Sequence, residues 1–184
     1  MVILPRHPPT ERVGAPTRSP FARQYSFKFS SDVGNETLRR LERAFDELAT
    51  AYPSTPPQEL LERVRRHSAY VAHLLDAKKT LSEHRRLLEV GGWFSLLGAT
   101  LHIDLKQEDA ATARLVTAAT LAQESEQDEI HAWCYETTAW RVLTNGDYTQ
   151  AAELAVVAQS IAPKGFVSRD SGHGSGRSST RPPW

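Results

Sequence analysis

Residues 133–163, WCYETTAWRVLTNGDYTQAAELAVVAQSIAP, read as two helices joined by a tight turn. The first carries Trp133, Tyr135, Ala139, Trp140, Val142 and Leu143. Asn145-Gly146 stops it, because glycine accepts the left-handed backbone that closes a helix. Asp147 restarts the chain, with Gln150 placed three residues on as its reciprocal capping partner. The second helix carries Ala151, Leu154, Ala155, Val157 and Ala158 and ends at Pro163. Its small residues, Ala151, Ala155 and Ala158, recur at three and four, so one face can lie close against a neighbouring helix.

The same texture stands forty residues earlier, in WFSLLGATLHIDLKQEDAATARLVTAATLAQ, residues 93–123. Trp93 falls on Trp133, Ala111 on Ala151 and Ala118 on Ala158, and the Lys106-Gln107 turn falls on Gly146-Asp147. The run from Gly146 through Tyr148, Ala151, Ala155 and Ala158 to Pro163 resembles the second half of a tetratricopeptide repeat. Lys106 replaces the expected glycine and Leu115 the small Ala155. The spacing also exceeds the ~34 residues of a regular repeat, which implies a longer helix or loop. The pattern predicts an all-α chain of antiparallel helix pairs stacked as a tetratricopeptide-like right-handed solenoid. The competing reading is a helical bundle whose apolar faces happen to align.

Working outward, six helices in three antiparallel pairs are expected over 35–163. Leu38, Leu41, Phe45 and Leu48 recur at helical spacing, and Tyr52-Pro53 ends that helix. Pro56-Pro57 opens the next, which carries Leu60, Leu61, Val64, Ser68, Val71 and Leu75. Thr80 with Glu83 forms a capping box ahead of Leu87, Leu88, Trp93, Leu96, Leu97, Leu101 and Ile103. Gly91-Gly92 lies inside this helix at a cost of ~1 kcal/mol each relative to alanine. Close approach of a neighbouring helix or a kink would account for the pair. Glu108-Asp109 suits the start of the fourth helix, and Ser125 to Glu129 the turn after it.

The ends differ from this body. Residues 1–34 hold Pro5, Pro8, Pro9, Pro16 and Pro20, and 164–184 are rich in Ser, Gly, Arg and Pro. Both are expected to be disordered tails, although Phe21, Tyr25, Phe27 and Phe29 alternate as a short strand would. A solenoid closes with a polar capping helix. The missing cap predicts exposed apolar surface on the last helix, self-association, and a truncated or frame-shifted C-terminus.

Each tail carries a net charge of +3, whereas 35–163 has thirteen basic and nineteen acidic residues, a net of −6. An acidic helical body without a basic stripe argues against phosphate-backbone binding. Specific DNA recognition by this chain alone is therefore not expected. Cys134 is the only cysteine, so no intramolecular disulfide forms. With no secretory signal and no membrane-length apolar run, the expected location is cytoplasmic.

Leu38-Arg39-Arg40-Leu41-Glu42-Arg43, Ala51-Tyr52-Pro53 and Leu74-Leu75-Asp76 resemble the C-terminal half of actinobacterial Xre-type helix-turn-helix regulators. Gly92-Trp93-Phe94, Leu96-Leu97-Gly98, Leu101-His102-Ile103-Asp104-Leu105, Glu129-Ile130-His131-Ala132-Trp133 and Gly146-Asp147-Tyr148 extend the likeness over 35–163. The resemblance implies a tetratricopeptide-like sensor domain that binds a ligand or partner. Residues 1–34 depart from the family, because their prolines exclude a helix-turn-helix. The implied protein is a regulator without its DNA-reading module. A stand-alone adaptor binding a partner protein or peptide is the alternative.

The first helix of each pair lines the concave face of such an array. That register places Trp93, Leu96, Thr100, Asp104, Trp133, Glu136 and Trp140 along a groove suited to a peptide, a protein segment or a small amphipathic molecule. The plainer reading packs the same tryptophans as core. His131, Cys134 and Glu136 offer too few ligands for zinc without His84 or His102 from another helix. A buried thiol beside a half-buried histidine is the commoner arrangement. No cofactor, metal or enzyme activity is called for, since phosphate-loop, nucleophile-elbow and H-E-x-x-H motifs are absent from the sequence.

Overall fold

A computed structural model describes residues 31–162. The expectations for residues 1–30 and 163–184, including the alternating Phe21 to Phe29 segment, lie outside the described residues. The rest is all-α: α1 (Asn35–Ala51), a short 3-10 turn (Tyr52–Ser54), α2 (Pro57–Asp76), α3 (Leu81–Asp104), α4 (Glu108–Ser125), α5 (Asp128–Thr144) and α6 (Tyr148–Ile161). No strand occurs among the described residues, and none of their helices is long and apolar enough to cross a membrane.

The helix starts follow local chemistry. Pro57 occupies the first turn of α2, where its missing N–H costs nothing. At α3, the Glu83 N–H donates to Thr80 Oγ1 at 3.2 Å, and the Thr80 N–H donates to Glu83 Oε2 at 2.7 Å. Ser31 Oγ at 2.6 Å and Thr80 Oγ1 at 2.9 Å also donate to that carboxylate, and these bonds, Ser31's foremost, hold Glu83 below the usual carboxylate range. Val33 is fully buried, and the Asp32 N–H donates to the Lys78 carbonyl, so packed chain begins ahead of Asn35.

Three helix ends share one closing geometry. Gly146 takes φ +88° as its sequence implies, while Lys106 and Glu126 adopt the same left-handed region at φ 57° and 58°. At each, the left-handed residue donates to the carbonyl three back: Lys106 to Ile103, Glu126 to Gln123, Gly146 to Leu143. The next residue donates to the carbonyl five back: Gln107 to His102, Gln127 to Ala122, Asp147 to Val142. This is the Schellman closure, and it recurs every twenty residues. The forty-residue self-similarity therefore spans two helix-and-turn units. Asp147 caps α6 by accepting from the Gln150 N–H at 2.9 Å.

Packing centres on α3, which touches α1, α2, α4 and α5. Its Leu87, Val90, Phe94, Leu97 and Leu101 join α1 and α2 in one apolar cluster. Leu96 and Ala99 join Leu115, Ala118, Ala122, Ile130, Trp133 and Cys134 in a second, with α4 and α5. Trp93 packs against both. A helix buried on opposite sides must be apolar nearly all round, and every residue from Phe94 to Ile103 is buried. Gly91 and Gly92 serve close approach without breaking the helix. A Cβ on Gly91 would lie 3.3 Å from Val71 Cγ1, and one on Gly92 would lie 3.2 Å from Ile130 Cδ1.

Among the described residues, the last helix is covered by α5. α6 packs on α5 through Ala151 and Ala158, and leaves Tyr148 and Val156 72% and 65% exposed. Apolar exposure on this helix agrees with the expectation, while the expected lack of a cap lies outside the described residues.

Left-handed backbone costs roughly 1–2 kcal/mol for residues other than glycine, against ~0.5–1 kcal/mol of extra chain entropy that glycine loses. Lys106→Gly and Glu126→Gly should each stabilise the fold by about 0.5–1 kcal/mol. Gly146→Ala should destabilise it by a similar amount. Urea unfolding of the three variants checks both signs.

Candidate functional site

The seven residues of the expected groove lie on two helices in contact with each other. Trp93, Leu96, Thr100 and Asp104 form one stripe of α3, and Trp133, Glu136 and Trp140 one stripe of α5. The structure divides them by depth. Leu96 and Trp133 are buried within the second apolar cluster, Trp133 retaining only 4% exposure. Thr100 is buried too, and its hydroxyl donates to the Leu96 carbonyl at 3.2 Å. These three side chains pack as core.

The other four are half-buried. Trp93 lies with its ring centroid 5.6 Å from that of Phe45, tying α3 to α1. Asp104 accepts from the Tyr52 hydroxyl at 2.6 Å, closing the C-terminal end of the stripe. Trp140 is partly open to solvent. Glu136 Oε1 is out of solvent and makes no hydrogen bond among the described residues. Glu136 stands forty residues after Leu96, so a carboxylate occupies the position that the first copy fills with a core leucine.

Sequence reasoning missed the next turn of each stripe. Glu89 precedes Trp93, and Glu129 precedes Trp133, by one helical turn at the same forty-residue spacing. Both are half-buried. Burial, with the neighbouring Glu42 of α1, pushes the Glu89 carboxyl above the usual range against the opposing pull of Arg86. Burial, with Glu89 beside it, pushes Glu129 up as well. The α1 end is tied down by Arg86, whose Nη2 and Nε donate to Glu42 Oε1 at 2.6 and 3.1 Å and whose Nη1 donates to Asn35 Oδ1 at 3.0 Å. A row of carboxylates thus crosses α1, α3 and α5 beside two half-exposed tryptophans. Extending the aromatic stripe one turn towards each N-terminus would have found it.

Among the described residues, no group of three or more His, Cys, Asp or Glu is placed to hold an ion. Burial pushes the Cys134 thiol up to about 12, so the free side chain stays protonated at neutral pH. The His131 ring instead lies 5.4 Å from that of Tyr135.

The raised carboxyls make a signed prediction. A carboxyl whose folded value exceeds its unfolded one costs stability as pH rises through that folded value. Glu129→Gln, which keeps the shape but removes the charge facing Glu89, should therefore stabilise the protein at pH 7. The gain should disappear well below the ordinary value of 4.5, where both states are protonated. Urea unfolding at the two pH values measures it.

No family model, no curated protein and no solved structure matches this chain.

Proposed function

We propose that the helices stack as a tetratricopeptide-like right-handed solenoid whose α1–α3–α5 side binds a cationic peptide or small amphipathic molecule. In this reading the helices form the sensor or interaction domain of a helix-turn-helix regulator. The observation that carries it is the ordered row on successive first helices: Glu42 on α1, Glu89 and Trp93 on α3, Glu129, Glu136 and Trp140 on α5. Contact of α1 with α3, and of α3 with α5, supports stacking of pairs in sequence. So does the contact of each second helix with the first helix of the following pair, α2 with α3 and α4 with α5.

The chemistry favours a cation. Carboxylates kept partly out of water cost free energy that a guanidinium or ammonium would offset, and tryptophan faces attract the same groups. The regulator assignment rests on the sequence likeness over 35–163. An acidic face of this kind would repel duplex DNA.

An amphipathic peptide carrying lysine and arginine, titrated while tryptophan fluorescence is followed, tests the reading. Binding should be saturable, should weaken about tenfold or more in Glu89→Gln or Glu129→Gln, in line with ~1.5–3 kcal/mol for a charge-assisted contact, and should be absent for an acidic peptide of matched length. Equal responses to both peptides would overturn the proposal.

A further inference from the structure

Contacts along α1, α3 and α5 fix how these helices lie against one another. At the α1–α3 contact, Arg86 Nη2 donates to Glu42 Oε1 at 2.6 Å, and the Trp93 ring centroid lies 5.6 Å from that of Phe45. Just beyond α1, the Tyr52 hydroxyl donates to Asp104 Oδ2 at 2.6 Å. Residue numbers rise together along both helices, so α1 and α3 run parallel. Towards α5, Arg85 Nη2 lies 3.1 Å from Glu126 Oε2, and a Cβ on Gly92 would lie 3.2 Å from Ile130 Cδ1. The same order makes α3 and α5 parallel. Glu89 therefore stands between the Arg86–Glu42 and Trp93–Phe45 contacts, level with Glu129, which precedes Ile130.

The chain enters this face at its foot. Ser31 Oγ donates to Glu83 Oε2 at 2.6 Å, and the Asp32 N–H donates to the Lys78 carbonyl at 2.9 Å. Glu83, Arg86, Glu89 and Trp93 recur at three and four, so Glu83 begins the stripe that Glu89 and Trp93 continue. At ~1.5 Å of rise per residue, Glu89 and Trp93 stand about 9 and about 15 Å along α3 from Glu83. The ten residues ahead of Ser31 are FARQYSFKFS, residues 21–30. They hold two cations, Arg23 and Lys28, four aromatic rings and no acid. At ~3.3 Å per extended residue, Lys28 reaches about 10 Å and Phe27 about 13 Å from Ser31, level with Glu89 and Trp93.

We propose that residues 21–30 dock on the α1–α3–α5 face as a tethered internal ligand that a free cationic peptide must displace. This docking rests on the reading of that face as a cation site. Charge complementarity and the position of the tether support it. Lys28 and Arg23 bring an ammonium and a guanidinium to a row that holds Glu42, Glu89 and Glu129. The neighbouring aromatic rings suit the half-buried Trp93. Ser31 already donates to the first carboxylate of the stripe, so docking continues a contact that is in place. A short tether holds the segment at millimolar effective concentration, on the order of 1 mM, which sets a threshold for any free partner.

A nitroxide attached to Ser26→Cys in the full chain tests the docking, since the native Cys134 thiol is buried. The amides of Glu89 and Trp93 should broaden more than that of Tyr70, which stands about 12 Å along α2 from the Lys78 anchor. Arg23→Glu with Lys28→Glu should remove the difference. Without the label, the same two reversals should raise affinity for an amphipathic lysine- and arginine-bearing peptide about tenfold or more, as loss of a charge-assisted contact implies. Arg6→Glu with Arg12→Glu, farther from the tether, should change neither measurement. Equal broadening at the three amides would overturn the docking, while saturable peptide binding would still leave the peptide-binding reading standing. Peptide affinity unchanged by the Arg23 and Lys28 reversals, or raised equally by the Arg6 and Arg12 pair, would overturn it as well. Localised broadening with no peptide binding, even in the reversed chain, would uphold the docking and sink the peptide-binding reading.

Discussion

The structure depends on α3 being covered on opposite sides at once. Phe94, Leu97 and Leu101 pack towards α1 and α2, while Leu96 and Ala99 pack towards α4 and α5. Full burial of each large apolar side chain contributes roughly 1.5–3 kcal/mol, so the helix stabilises two clusters that share few other contacts. The glycines make this geometry attainable. Gly91 and Gly92 admit Val71, Leu121 and Ile130 at van der Waals distance, which offsets the helical propensity they forfeit.

Burying α3 sets where charge can go. Its remaining polar edges face two surfaces. One runs along Glu89, Trp93 and Asp104, continuing to Glu42 on one side and to Glu129 and Glu136 on the other. The second lies over Gly98, where the Arg114 stem crosses α3. Carboxylates gather on one side of the central helix and a guanidinium stands on the other. Both groups are partly withdrawn from water, which strengthens each interaction and raises the cost of leaving it unmade. A near-zero formal charge over the whole chain hides this separation.

Much of this organisation was legible in the residues. Apolar spacing marked every helix, Thr80 with Glu83 marked the start of α3, and Gly146 marked the end of α5, because each signal is local. The left-handed turns at Lys106 and Glu126 were harder, since no glycine announces them. Lys106 could be aligned to Gly146 through the forty-residue offset, but Glu126 lies between copies and emerges only from the twenty-residue spacing of the turns. Depth within the stripe was also illegible. Periodicity places Leu96, Thr100, Trp133 and Trp140 on one face, yet it cannot say how far the next helix overhangs it. Contact of α3 with α5 closes over the first three and leaves Trp140 half-open. The burial of Val33 had no periodic signal at all, because it lies on the stretch leading into α1.

The central claim is that one helix couples both clusters, and native-state hydrogen exchange on Phe94→Ala tests it most directly. Phe94 is fully buried and belongs to the first cluster, and its truncation should cost about 3–5 kcal/mol. If α3 holds the molecule together, amides of α5 should lose protection in step with those of α1 and α2. Undiminished protection in α5 alongside loss in α1 and α2 would mean that the two clusters stand independently, and would contradict the account.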